Sequence, residues 1–306
     1  MSEGKVLAVD PIYTRDDLIQ FSPWHATFVG VDSDGCVFDT MELKQKLCFH
    51  GLIASHWGLE KIEKEVRASA EFINLHSCWR GQNRFLCLLR TMDLLRTHPE
   101  VIRSGVPLPA LTGLRRWIDS GLPLSNAGLK QAAEETGDPE LASLLEWSEA
   151  VNAQIKQKVN HAPPFKWALE GLKQIHEHSD VVCVSQTPTE ALVREWRENG
   201  VLEFVAMIAG QELGTKSEHL RLGAGGKYPA DRILMIGDAP GDLQAALDND
   251  AHFFPINPGR EEASWERLVR EAYPQFLDGL YGGAYEKARI AEFQTLLPDT
   301  PPWKRK

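Results

Sequence analysis

The apolar positions of this chain change their period twice. Residues 26 to 32, ATFVGVD, form a short apolar and β-branched run that ends in Asp-Ser-Asp-Gly. A run of this kind reads as a buried strand, of the sort found in parallel sheets, leading into a turn. From Met41 to Asn160 the period is helical instead. In LASLLEWSEAVNAQI, for example, Leu141, Leu144, Leu145, Val151 and Ile155 recur at spacings that place them on one helix face. No strand pattern interrupts this stretch. It ends at His161-Ala162-Pro163-Pro164, where two successive prolines cannot continue a helix.

After the prolines the periods alternate. LEGLKQIHEH reads as helix, DVVCV as strand, PTEALVREWREN as helix, FVAMIAG as strand, RILMIGD as strand and GDLQAALDND as helix. Alternation of this kind predicts right-handed β-α-β crossovers and a mostly parallel, doubly wound α/β sheet. The expected architecture is a discontinuous α/β core, residues 1–40 and 161–306, interrupted by an all-helical insertion, residues 41–160. The insertion leaves the core just after Asp32 and Asp34, where it could cover them. Thr187 is expected to cap the helix after DVVCV, with Pro188 at its first position, Glu190 completing a capping box and Gly200 ending it. SWERLVREAYPQFLDGLYGGAYEKARIAEFQTLL predicts two further amphipathic helices near the C-terminus.

Composition narrows the possible functions. With 306 residues, 43% hydrophobic and 25% charged, the chain has apolar side chains enough for two cores. A formal net charge of -10 and a pI near 5.5 argue against nucleic-acid or anionic-membrane partners, so an anionic substrate would need local positive charge. The charged opening segment and the lack of a long apolar run predict a cytoplasmic protein. Five cysteines without a C-x-x-C pair predict reduced thiols. His176 and His178 lack any metal-ligand spacing and read as a solvated helix end.

The chemistry concentrates at strand ends. Asp32 and Asp34 stand two apart, so their side chains leave the strand end on one side, and Gly35 permits the turn that follows. IGDAPGD presents Asp238 and Asp242 after another buried strand. Carboxylates converging on one sheet edge repel one another unless a cation neutralises them, and hard oxygen donors in this number select magnesium.

VDSDGCVFDT resembles the first motif of the haloacid dehalogenase-like hydrolases, a strand followed by D-x-D-G. VVCVSQTPTEAL is similar to that superfamily's second motif, IAGQELGTKSEHL to its third and ILMIGDAPGDLQAA to its fourth, in the same order. The helical insertion matches by placement the cap of the phosphoglycolate phosphatase and β-phosphoglucomutase branch. The resemblance implies a Mg2+-dependent phosphomonoester hydrolase that acts on a small phosphorylated metabolite through an aspartyl-phosphate. It implies Asp32 as the nucleophile and Asp34 as the acid and later the base. Ser185 and Lys216 would hold phosphoryl oxygens, with Gln186 beside them. Magnesium would be held by Asp32, the Asp34 carbonyl and Asp238, with Asp242 in support. Asp34 favours phosphate esters over carbon–halogen or carbon–phosphorus bonds, whose leaving groups need no such proton donor.

Lys216 opens a helix after a strand and a short loop, the place of the third motif, whereas Lys227 lies in the Gly-rich GAGGKYP. That segment lacks both the spacing and the preceding strand of a phosphate loop. In the insertion, HSCWRGQNRF joins Arg80, Asn83 and Arg84 around Gly81. These side chains suit an anionic or polyhydroxyl substrate, and a helix–helix turn with solvated arginines is the alternative. Trp196 and the other tryptophans at helical spacing read as core. Two further functional readings stand beside the phosphatase: a sugar-phosphate mutase with the same phosphoaspartate, and a non-catalytic sensor or scaffold.

Overall fold

The computed structural model describes residues 11–159 and 162–304. The chain folds as two compact units. One takes the described residues up to Phe38 together with Pro163–Ala291, and the other takes those of Asp39–Ala162 together with the segment from Glu292 onward. Asn160 and His161, at the proline boundary, lie outside the described residues.

The first unit is built on a five-stranded parallel sheet: β1 (Phe28–Val31), β2 (Asp180–Val184), β3 (Met207–Ala209), β4 (Ile233–Gly237) and β5 (His252–Pro255), in the order β3-β2-β1-β4-β5. β1 is central, with Val31 paired to Cys183 on one side and to Ile236 on the other. Every residue of β1, β2 and β4 is buried, as strands covered on both faces require. The chain runs from β1 outward through β2 and β3 and then crosses to β4 on the opposite side. The strand order therefore reverses at β1 and β4, and the carboxyl ends of these two strands form the crevice where such sheets place their ligands.

The helices of this unit include α1 (Arg15–Gln20), α2 (Ala168–His178), α3 (Thr189–Glu198), α4 (Lys216–Gly223), α5 (Pro240–Leu247) and α6 (Glu261–Arg267), with a short helix Tyr273–Leu277 and the start of the helix Ala284–Leu296 after them. The doubly wound α/β class predicted from the alternating pattern is the one observed. Two elements have no clear signal in the sequence. α1 is a short helix closed by a capping box between Thr14 and Asp17, and β5 is an edge strand of only four residues ending in Pro255. A proline at a strand end on a sheet edge removes no ladder bond, but it masks the pattern. The chain leaves this unit after Phe38 and re-enters beside it, where the Phe165 N–H donates to the Val37 carbonyl at 2.9 Å.

Among its described residues the second unit contains helices joined by loops and no strand. Its core is a cluster that includes Phe85, Met92, Leu114, Trp117, Leu144 and Trp147. The helix Pro139–Lys158 buries Leu141, Leu144 and Val151 on the face read from the sequence. The segment from Glu292 onward, assigned by its pattern to the α/β core, groups with this helical unit. Trp303 meets Phe72 with ring centroids 6.0 Å apart and His98 at 5.4 Å, and the Cys78 N–H donates to the Pro298 carbonyl at 3.2 Å. These aromatic contacts join residues far apart in sequence, which no local period can register. Among the described residues no helix is long and apolar enough to cross a membrane.

Candidate active site

The turn after β1 carries the first two carboxylates. The Asp32 N–H completes the ladder by donating to the Ile236 carbonyl at 3.0 Å. The Ser33 carbonyl then accepts from the N–H groups of Cys36, Val37 and Phe38, which closes the chain into a compact loop, and Gly35 supplies the left-handed residue at φ 80°. Two indoles hold this loop from the core. Trp196 Nε1 donates to Ser33 Oγ at 2.9 Å and Trp265 Nε1 donates to the Cys36 carbonyl at 2.7 Å, all four groups being buried. Trp196 thus has a polar task within the core role read for it.

The neighbouring strand end, after β4, places Asp238 and Asp242 in the fully buried interior. Asp242 lies in the first turn of α5, where its Oδ2 accepts from the N–H groups of Asp238 at 3.1 Å and Ala239 at 3.0 Å. Such an arrangement satisfies helix-terminal donors and suits the positive end of the helix dipole. Gly237 is required here, because a Cβ at that position would overlap the Asp242 carboxylate.

From the loop after β3, α4 begins with a capping box between Thr215 and Glu218 and sends its first residue, Lys216, into the crevice. Lys216 Nζ lies 2.5 Å from Asp242 Oδ1 and 2.9 Å from Asp32 Oδ2. Burial alone would lower the pKa of this ammonium; the carboxylates of Asp242 and Asp32 reverse that, and the net direction is upward. Burial pushes the Asp242 carboxyl up to about 6, Lys216 opposes the shift and Asp32 adds to it. With an ammonium on one oxygen and two N–H groups on the other, the ionised pair is the form this geometry supports. Lys227, the rival lysine, is committed elsewhere: its Nζ donates to the carbonyls of Leu18 and Leu222, each at 2.7 Å, and tethers the end of α4.

Ser185 follows β2 and is buried, its N–H donating to the Ala209 carbonyl at 3.0 Å. Gln186 turns aside, donating through Nε2 to the Gly214 carbonyl at 2.9 Å. Thr187 does not cap the following helix. α3 starts at Thr189 without a side-chain cap, and the Thr187 hydroxyl instead donates to Asp34 Oδ2 at 2.7 Å. Asp34 is half-buried, whereas Asp32 is only 3% exposed.

A divalent cation fits this donor set. Asp32, Asp238 and Asp242 each offer a carboxylate oxygen within 4.8 Å of the others, and all are hard donors. Asp32 Oδ1 is buried and accepts no hydrogen bond among the described residues, an arrangement that costs free energy unless a cation or another donor meets it. Asp242 already has both oxygens engaged, Oδ1 by Lys216 and Oδ2 by two N–H groups.

The candidates in the helical unit make several bonds there. Asn83 caps the helix Arg84–Arg96 through the Phe85 N–H and donates to the Leu124 carbonyl at 2.7 Å. Arg84 Nη1 donates to Asn152 Oδ1 at 2.8 Å and to Ser148 Oγ at 3.1 Å, with its guanidinium over the Phe49 ring. Arg80 is 5% exposed and donates to the Leu75 carbonyl at 3.1 Å. All five cysteines are free thiols, and His176 and His178 are exposed at the end of α2.

No protein-family model matches the chain, and no curated protein does. Among solved structures it is similar to a haloacid dehalogenase-like family hydrolase from Streptococcus pneumoniae, at 13% identity and a TM-score of 0.41 over 80% of this chain and 91% of that one. It is also similar to a haloacid dehalogenase hydrolase from Bacillus subtilis determined with bound magnesium, at 13% identity and a TM-score of 0.43 over 80% and 99% of the two chains. A subfamily IA hydrolase from Geobacter sulfurreducens gives 15% identity and a TM-score of 0.37 over 77% and 89%. Likeness at this level says nothing about chemistry.

Proposed function

We propose that the chain is a magnesium-dependent phosphomonoester hydrolase that works through a phosphoryl group carried on Asp32. The observation that carries the reading is the meeting of Asp32, Asp238, Asp242 and Lys216 at the carboxyl ends of β1 and β4, with Asp34 two residues beyond Asp32.

The Asp32 carboxylate, 2.9 Å from Lys216 Nζ, needs no base to attack. One of its oxygens forms a bond to phosphorus as the bond from phosphorus to the ester oxygen breaks, and Asp34 delivers a proton to that oxygen so that an alcohol departs. Asp34, now a carboxylate, takes a proton from water. The resulting hydroxide attacks the same phosphorus, the bond to Asp32 breaks, and inorganic phosphate leaves with both aspartates restored to their starting states.

Asp32, the Asp34 carbonyl and Asp238 would hold the magnesium ion, with Asp242 in support. When bound, it supplies positive charge against the phosphoryl oxygens. Lys216 and Ser185 contribute fixed donors to the same oxygens in a crevice from which water is largely excluded. The substrate class is a small phosphorylated metabolite, and the helical unit, inserted directly after Phe38, is proposed as the cap that selects the alcohol. Within that unit Arg80, Asn83 and Arg84 are the proposed substrate contacts, in addition to the structural bonds they make.

The test is phosphate release from a panel of phosphorylated metabolites with and without magnesium. The reading expects turnover that chelation abolishes and magnesium restores, with Asp238→Ala mimicking chelation. Full-rate hydrolysis in excess chelator would refute the metal role. Isomerised product without net phosphate would replace the hydrolase by a mutase.

A further inference from the structure

Thr187 immediately precedes Pro188, which occupies the N-cap position of α3 and supplies no side-chain cap. The start of the helix is served from another loop. The N–H and hydroxyl of Thr189, the first residue of α3, both donate to Glu212 Oε2, at 2.9 and 2.8 Å. A carboxylate is the better partner at a helix N-terminus, because it meets both the unpaired donor and the dipole. The Thr187 hydroxyl is thereby left for Asp34 Oδ2, to which it donates at 2.7 Å.

The backbone that carries this hydroxyl is held on several sides. The Thr187 N–H donates to Ser185 Oγ at 3.3 Å, its carbonyl accepts from the Gln211 N–H at 3.1 Å, and Gln186 Nε2 reaches the Gly214 carbonyl at 2.9 Å. The loops after β2 and β3 are therefore clasped together, and a β-branched side chain with few χ1 choices projects from the clasp. Asp34 lies on a turn and is half-buried, so two torsions of its side chain need an external constraint.

We propose that Thr187 is a positioning residue for Asp34: its hydroxyl, fixed by the Glu212 clasp, sets the orientation in which Asp34 passes a proton to the leaving oxygen. The inference rests on the phosphatase reading above and adds a residue to it. Positioned proton transfer contributes roughly 100- to 10,000-fold in rate, and the requirement for it depends on the leaving group. An alkoxide needs the proton to depart, whereas an acidic phenolate leaves without it. Loss of orientation therefore separates the two kinds of ester.

The experiment compares wild type with Thr187→Val, which removes the hydroxyl at nearly constant shape, and with Thr187→Ser, which keeps it. Each is assayed on a simple alkyl phosphate ester and, in single-turnover mode, for the burst of phenolate from 4-nitrophenyl phosphate. Thr187→Val is expected to lower kcat for the alkyl ester by about tenfold or more with KM little changed, and to keep the phenolate burst within about twofold. Thr187→Ser should restore most of the alkyl rate. Glu212→Ala, which opens the clasp from the other loop, should show the same split at smaller size. Equal losses on both esters, or no loss on either while wild type turns over both, would overturn the assignment of Thr187 and leave the phosphatase reading standing. A wild type that releases phosphate from neither ester and from no member of the metabolite panel would overturn the phosphatase reading and this inference with it.

Discussion

Replacing Lys216 by Met removes the positive charge between two buried carboxylates and keeps the length and most of the apolar stem of the side chain. The Lys216 side chain is 14% exposed, that of Asp32 4% and that of Asp242 0%, and the two ion pairs span 2.9 and 2.5 Å. Removing one partner of a buried pair costs about 3–5 kcal/mol, because the remaining charge keeps its desolvation penalty without its counterion. Here one cation serves two carboxylates, so Lys216→Met should fall at the upper end of that range in urea unfolding at neutral pH. Asp242→Asn in the Lys216→Met background should recover roughly half of the loss, since it removes one stranded charge and keeps an oxygen for the Asp238 and Ala239 N–H groups. A Lys216→Met protein within about 1 kcal/mol of wild type, or a double variant no more stable than the single one, would refute the electrostatic account of the crevice.

His50 is 1% exposed in the helical unit, and burial, followed by Arg67 and Lys46, lowers its pKa from 6.5 to about 3. It is neutral in the fold and takes a proton on unfolding below its unfolded pKa, so stability falls as pH drops from 6.5 towards 3. The loss should reach roughly 2–3 kcal/mol by about pH 4.5, and His50→Leu should flatten that slope in unfolding curves; an unchanged slope would contradict it. Arg84→Ala should destabilise the protein by about 1.5–3 kcal/mol through its bonds to Ser148 and Asn152 and should spare hydrolysis of a small aryl phosphate. Unchanged stability with lost aryl phosphate activity would instead place Arg84 against the phosphate.

Much of the sheet unit was legible because its signals are local. Strands covered on both faces must be apolar, so ATFVGVD, DVVCV and RILMIGD announce β1, β2 and β4, and carboxylates at their carboxyl ends fall together once the sheet is parallel. Lys216 was readable as a helix opener from its place after the strand FVAMIAG and a short loop, and the structure closes that start with a Thr215–Glu218 capping box. What stayed hidden depends on partners distant in sequence. Glu212, not Thr187, serves the start of α3, and the only hint was an acidic residue in the following loop. Trp303 finds Phe72, and Arg84 finds Ser148 and Asn152, across separations that carry no period. An arginine pair beside a glycine looks the same in sequence whether it binds a substrate or ties helices together, and only the acceptor atoms show the structural bonds.

The central claim is that Asp32 carries the phosphoryl group, and acid-quenched turnover analysed by peptide mass spectrometry tests it most directly. The account predicts a phosphoryl adduct on the peptide that contains Asp32 in the wild type, no adduct in Asp32→Asn, and loss of phosphate release in that variant with its fold retained. An adduct on another residue, or an Asp32→Asn enzyme that keeps even a tenth of the wild-type rate, which is a barrier change of only about 1.4 kcal/mol, would contradict it.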